Sequence, residues 1–94
     1  MRINLKLMQP LAGLVGSKDL WLDVGGGTLA DLIGQLCQDH GAAVAGELLD
    51  KEGSLDLAYA IAVDGMVTRS LSTGLRDGSE VLIFASIVGG AKIS

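Results

Sequence analysis

Alternating apolar and polar positions open the chain. In the stretch RINLKLM, residues 2–8, every second side chain is aliphatic, which predicts a half-buried β-strand. Pro10 ends this strand because proline cannot donate to a β-ladder. A connection with room for one short helical turn follows, and LWLDV, residues 20–24, predicts a second strand in a hairpin with the first.

The next pattern has a helical period. Thr28 is a favourable N-cap, and Asp31 follows it near the positive end of the helix dipole. His40 and Gly41 are a typical helix end, while Gly34 weakens the helix by about 1 kcal/mol relative to alanine. The apolar stripe that this helix would bury consists of Leu29, Leu32, Ile33, Leu36 and Cys37.

The second half of the chain returns to a period of two. After a vague segment with a second short helix around 45–49, the stretch LAYAIAV, residues 57–63, alternates large and small side chains. Asp64-Gly65 predicts a two-residue hairpin turn into a short strand over residues 66–70. A second Asp-Gly pair, at 77–78, precedes the last predicted strand, residues 80–85.

The predicted order is therefore β-β-α-β-β-β. Two hairpins and one well-capped helix indicate an α+β domain, with a mixed sheet and the helix packed across one face. The length of 94 residues suits one small domain. We expect this domain to span residues 1–88 and to be followed by a tail, residues 89–94, that contains the pair Gly89-Gly90.

Composition and charge exclude several classes of function. The net charge of −4 gives no basic excess for binding a nucleic acid, and the three aromatic residues do not make a stacking platform for bases. No apolar run has the length of a signal peptide or a membrane span. With one cysteine, the chain cannot form an internal disulfide. We expect a soluble, cytoplasmic protein with neither nucleic acid nor membrane as its partner.

Residues that could perform catalysis are sparse. Cys37 lies in the apolar stripe, where we interpret it as structural, and His40 as a helix-end residue. The glycine run 25–27 opens a helix but matches no phosphate-loop motif, so we interpret it as a strand-to-helix joint. Neither a catalytic triad nor a zinc site has enough candidate residues. The chain is therefore expected not to be an enzyme and to bind no cofactor or metal.

The last predicted strand carries two apolar side chains whose role has two interpretations. If the helix covers the face of Val81 and Ile83, then Leu82 and Phe84 point to the other side. There they would lie beside the small side chains of the 57–63 strand and could form a contact patch. The alternation leaves two interpretations equally open: a surface for a partner, or ordinary packing under a loop.

The order of elements and the stretch AVDGMV…LRDGSEVLIFASIVGG resemble the β-grasp sulfur carriers, ubiquitin-like relatives that include the small subunit of molybdopterin synthase and the thiamine sulfur carrier. The resemblance extends to Gly90 and is closest to the molybdopterin branch, because LAGLVG, residues 11–16, is similar to the connection in that branch. It implies a ubiquitin-like β-grasp fold with about five strands and one main helix.

The resemblance also implies a function. In such carriers an ATP-using partner adenylates the terminal glycine carboxylate, which then becomes a thiocarboxylate that donates sulfur. By resemblance Gly90 is the acyl carrier and Gly89 its guide, while Leu82, Phe84, Ile87 and Val88 contact the partner. ATP and any metal belong to that partner. The implied partners are an adenylating, ubiquitin-activating-like enzyme and the molybdopterin synthase large subunit or an equivalent sulfur acceptor.

The chain departs from the family pattern in two places. Residues 91–94, AKIS, follow the second glycine, and FASIVGG lacks the prolines common in the molybdopterin branch. A peptidase that removes AKIS is therefore also expected. Besides a sulfur carrier for molybdenum or tungsten cofactor synthesis, three alternatives remain: a protein modifier that uses the same glycine, a carrier of thiamine or amino-acid sulfur, and a non-conjugating interaction module.

Overall fold

The computed structural model describes residues 1–86. Within that range the chain forms five strands and three helices, and two of the helices are short. In chain order the elements are β1 (Arg2–Leu7), α1 (Leu11–Val15), β2 (Asp19–Asp23), α2 (Leu29–His40), α3 (Ala42–Leu48), β3 (Tyr59–Val63), β4 (Met66–Thr68) and β5 (Glu80–Ala85).

The five strands form one mixed sheet in the order β2-β1-β5-β3-β4. β5 is the central strand: it runs parallel to β1, with Leu5 opposite Val81, and antiparallel to β3, with Ile61 opposite Ile83. The two hairpins, β1 with β2 and β3 with β4, lie on either side of it. The last strand therefore joins the two halves of the chain.

α2 buries the predicted stripe against the sheet. Thr28 caps the helix, and its side chain and that of Asp31 form a reciprocal capping box. Four stripe residues are at most 2% exposed, and each such buried side chain stabilises the fold by about 1.5–3 kcal/mol. They belong to the same core as the inward residues of the sheet, among them Ile3, Leu5, Leu22, Ile61, Val81 and Ile83.

Both Asp-Gly turns are present. Asp64 and Gly65 have φ values of 49° and 88°, the positive angles that a two-residue hairpin between Val63 and Met66 requires. At the second turn, Gly78 has φ 86° and its N–H donates to the carbonyl of Arg2, which places the turn against β1. These local signals were predicted correctly because the turn geometry depends on the two residues themselves.

The strand predicted over residues 57–63 is shorter than expected. β3 begins at Tyr59, and Leu57, which the alternation places on the same side as Tyr59 and Ile61, is 53% exposed. The reason is local: the Asp56 carboxylate accepts a hydrogen bond from Ala58 N–H at 2.8 Å, and the carbonyl of Asp56 accepts one from Tyr59 N–H at 3.0 Å. This turn keeps Leu57 out of the ladder.

The helices outside α2 are better formed than the sequence indicated. The connection after β1 contains α1, which buries Leu11 and Ala12. The short helix expected around 45–49 is α3, which begins at Ala42 and buries Val44 and Leu48. Gly41, with φ 96°, ends α2 and precedes α3, so the two helices follow each other directly.

None of the helices within residues 1–86 is long and apolar enough to cross a membrane. The predicted boundary between domain and tail, at residues 88 and 89, lies outside the described residues.

Candidate partner-binding face

The face of the sheet opposite the helices carries an apolar strip. Leu82 and Phe84 of β5 are half-buried there, whereas Val81 and Ile83 on the other side of the same strand are fully buried. Residues directly opposite in neighbouring strands share a face, and Ala62 is opposite Leu82. We define the apolar strip as Val67, Ala62, Leu82, Ala60 and Phe84.

Part of the strip is accessible from solvent. Val67 is 66% exposed and Ala62, Leu82 and Phe84 are half-buried, whereas Ala60 is buried. The placement of Leu82 and Phe84 on the outward face is thus as the alternation predicted. Their role in binding a partner stays a prediction.

Charged side chains border the strip on the β1 side. Lys6 is opposite Leu82, and its ammonium lies 3.4 Å from the carboxylate of Glu80. Further along the same face Trp21, on the edge strand β2, is 54% exposed, and the Arg2 guanidinium lies 5.6 Å from its ring centroid. This exposed tryptophan was missed from sequence, although its position between Leu20 and Leu22 in an alternating strand was the signal.

The predicted reactive glycines, Gly89 and Gly90, follow β5 in the sequence. At its end Ser86 N–H donates to the carbonyl of Ala58 at 2.8 Å, and Ser86 is the last described residue. The predicted site residues Ile87, Val88, Gly89 and Gly90, together with the AKIS segment, lie outside the described residues.

The segment that holds Ser86 is itself anchored. The Tyr59 hydroxyl donates to the Glu47 carboxylate at 2.5 Å, which connects β3 to α3. Burial, followed by the hydrogen bond to Glu47 and the nearby negative charges, raises the pKa of Tyr59 well above its usual range.

The glycine run before α2 is a joint, as predicted. One carboxylate oxygen of Asp31 accepts hydrogen bonds from Gly27 N–H at 3.0 Å and from Thr28 N–H at 3.1 Å. The N–H groups that a phosphate would need are thus bound to the protein's own carboxylate. A Cβ on Gly26 would come within 2.1 Å of that carboxylate oxygen, so glycine is needed there for close approach.

Within residues 1–86, the side chains with nucleophilic or ligating capacity do not assemble into a site. Cys37 is partly buried beside the core, and that burial raises the pKa of its thiol, which disfavours the reactive thiolate. No group of three or more His, Cys, Asp or Glu side chains within residues 1–86 could hold a metal ion.

Solved structures share this fold. SAMP1 from Haloferax volcanii, a small archaeal modifier protein, superposes with a TM-score of 0.80 at 25% identity and covers 96% of this chain and 100% of its own. CysO from Mycobacterium tuberculosis gives a TM-score of 0.78 at 23% identity, covering 90% of this chain and 99% of its own. The fold is the ubiquitin-like β-grasp.

A structure from Pyrococcus furiosus, described as a putative molybdopterin converting factor, subunit 1, matches with a TM-score of 0.72 at 23% identity and covers 93% of this chain and 99% of its own. The family model of the ThiS family matches residues 5–90. The chain belongs to the ThiS family. No curated protein sequence matches it significantly.

Proposed function

We propose that this chain is a sulfur carrier whose working terminus is Gly90, exposed by removal of residues 91–94. The observation that carries the proposal is the ThiS-family match, which ends at residue 90, the second glycine. A partner enzyme adenylates the Gly90 carboxylate and converts it into a thiocarboxylate. Molybdenum or tungsten cofactor synthesis is the proposed destination of the sulfur, and the molybdopterin synthase large subunit, or an equivalent protein, its acceptor.

The chemistry explains why the tail must be removed. A free carboxylate oxygen attacks the α-phosphate of ATP, forms the acyl adenylate and releases pyrophosphate. Sulfide equivalents supplied by the partner then displace AMP and leave the thiocarboxylate. In the encoded chain the Gly90 carbonyl is bonded to the nitrogen of Ala91, so no carboxylate is available for the first step.

The proposed roles divide between two parts of the chain. The apolar strip docks the carrier on the activating enzyme, which holds the ATP, and Ile87 and Val88 extend that contact. Gly89 and Gly90 enter the enzyme's active site, where the absence of a Cβ lets the backbone pass a narrow channel. The acidic net charge of −4 favours docking surfaces of basic character.

The test compares three proteins: the full chain, a form that ends at Gly90, and that form with Gly90→Ala. With the activating enzyme of the same organism and ATP, only the form ending at Gly90 is expected to exchange pyrophosphate and to gain one sulfur in place of one oxygen by intact mass. The alanine variant should fold normally and react poorly. Sulfur transfer by the full chain at the rate of the shortened form would refute the proposal.

Protein modification is a second candidate, favoured by the TM-score of 0.80 and 25% identity to a small archaeal modifier protein. The same activated Gly90 would then form isopeptide bonds with lysine side chains. Mass spectrometry of native extracts separates the two functions. After tryptic digestion a modifier leaves residues 77–90 on lysines of other proteins, because Arg76 is the last tryptic site before Gly90, whereas a carrier that only transfers sulfur leaves none and is recovered as a thiocarboxylate.

A further inference from the structure

Arg69 makes three hydrogen bonds to one short segment of backbone. Arg69 directly follows β4. Its guanidinium donates hydrogen bonds to the backbone carbonyls of Leu55 at 3.0 Å, Asp56 at 3.2 Å, and Tyr59. The side chain of Arg69 thereby joins residues that are 10 to 14 positions earlier in the chain. A planar guanidinium holds such a set of acceptors in a defined geometry, which the single ammonium of lysine does not.

The end of β5 pairs with the segment 55–59. Tyr59 is the ladder partner of Ala85, and the carbonyl of Ala58 accepts the N–H of Ser86 at 2.8 Å. The last two described residues are therefore attached to the segment that Arg69 holds. From the other side, the same segment is secured by the Tyr59–Glu47 hydrogen bond.

We propose that Arg69 is a positioning residue for the reactive terminus: by holding the segment 55–59 it determines where the backbone leaves the sheet at Ser86, and so delivers Gly90 to the activating enzyme. This rests on the proposed function. Gly90 is four residues beyond Ser86, and four residues span at most about 14 Å, so the position of Ser86 limits where the reacting carboxylate can be placed.

The proposal separates delivery from docking. Arg69 lies on no strand of the sheet face that carries the apolar strip, and its hydrogen bonds are to backbone atoms of segment 55–59. Loss of the guanidinium should therefore leave the affinity of the carrier for its enzyme unchanged and misplace the terminus. A misplacement of about 1 Å at a reacting group lowers a rate up to roughly a hundredfold.

The experiment uses Arg69→Ala, Arg69→Lys and the control Arg76→Ala. Arg76 is also exposed, and its guanidinium donates none of the hydrogen bonds found within residues 1–86, so this control removes an equal charge without touching the segment. Steady-state adenylation is measured with forms ending at Gly90, after their melting temperatures have been compared with that of the full chain. Amide hydrogen exchange is measured on the full-length variants.

For Arg69→Ala we expect kcat to fall at least tenfold with the KM for the carrier within twofold of the parent, and exchange at the Ser86 amide to accelerate while the amides of α2 do not change. Arg69→Lys should fall between parent and alanine variant, and it decides the question if the alanine variant does not fold. The control should match the parent in all three readouts.

Two results would overturn the proposal. One is an unchanged kcat. The other is a fall in kcat accompanied by an equal rise in KM and by faster amide exchange across α2, which would make Arg69 a general stabiliser of the fold. Failure of this proposal can be distinguished from failure of the proposed function. If the parent ending at Gly90 is not adenylated at all, the carrier function fails, whereas the exchange at Ser86 still reports whether Arg69 holds the segment.

Discussion

The two faces of β5 differ sharply although they belong to one strand. Val81 and Ile83 are fully buried under the helices, while Leu82 and Phe84, their immediate neighbours in sequence, face outward and are half-buried. All four are apolar, so hydrophobicity alone does not distinguish them. The helix layer covers one face only, and it therefore separates the buried residues that stabilise the fold from the residues that a partner could contact.

Truncating a side chain on the helix-covered face of β5 should have the largest effect, a loss of stability. Ile83→Ala removes a side chain with no exposed surface from the central strand and leaves a cavity. Truncations of this kind cost about 2–5 kcal/mol in the free energy of unfolding. Urea denaturation of the variant should show this loss with an unchanged slope. A loss below that range would mean that the core collapses around the site.

Truncating a side chain on the uncovered face of β5 should weaken partner binding instead. Phe84→Ala is expected to weaken the complex with the activating enzyme by more than about 1 kcal/mol, as for aromatic anchors at interfaces, and to leave the melting temperature nearly unchanged. Calorimetric titration measures the first quantity and thermal unfolding the second. If stability falls as it does for Ile83→Ala, Phe84 is a core residue and the comparison of the two faces is wrong.

Stabilising the helix that covers the sheet tests the same division from the other direction. Gly34 lies on the exposed side of α2, and a Cβ there meets no atom within 4 Å. Gly34→Ala should therefore stabilise the fold by about 1 kcal/mol, which raises the melting temperature by about 4–8 °C. Affinity for the enzyme should not change. A variant that bound differently would show that α2 also contributes to the interface.

The smallest effect is expected at the border of the apolar strip. The Lys6–Glu80 pair is solvent-exposed, with 42% and 56% of the side-chain surfaces accessible. A double-mutant cycle with Lys6→Gln and Glu80→Gln should give a coupling of about 0.2–1 kcal/mol that decreases at high salt. At about 1 M salt the Debye length is only about 3 Å, so the coupling should nearly vanish. A larger coupling that persists at that salt concentration would show that Lys6 and Glu80 are not a screened surface pair.

Much of the secondary structure could be predicted from the sequence because its causes are local. The capping pair Thr28 and Asp31, the stripe of α2 and the two Asp-Gly turns each depend on residues within a few positions of one another. The alternation of β5 likewise assigned Leu82 and Phe84 to the face opposite Val81. For these features the backbone geometry follows from the residues that adopt it.

Other features depended on partners that no local pattern names. The parallel pairing of β1 with β5 joins residues more than seventy positions apart, such as Leu5 and Val81. The misplaced Leu57 and the missed Trp21 had local causes instead: a turn forms at Asp56, and Trp21 alternates with the buried Leu22 on β2. Alternation states which side chains share a face, but not which strand lies alongside.

The sequence by itself determined the elements, the buried faces and the family resemblance, because these reside in spacing, turn chemistry and the pair Gly89-Gly90. Only the tertiary structure decided that β5 pairs with β1, and that Arg69 holds the segment to which Ser86 is attached. The physical reason is that hydrogen-bond partners at these sites are selected by the approach of folded elements, and the energy of that approach is not a property of either residue alone.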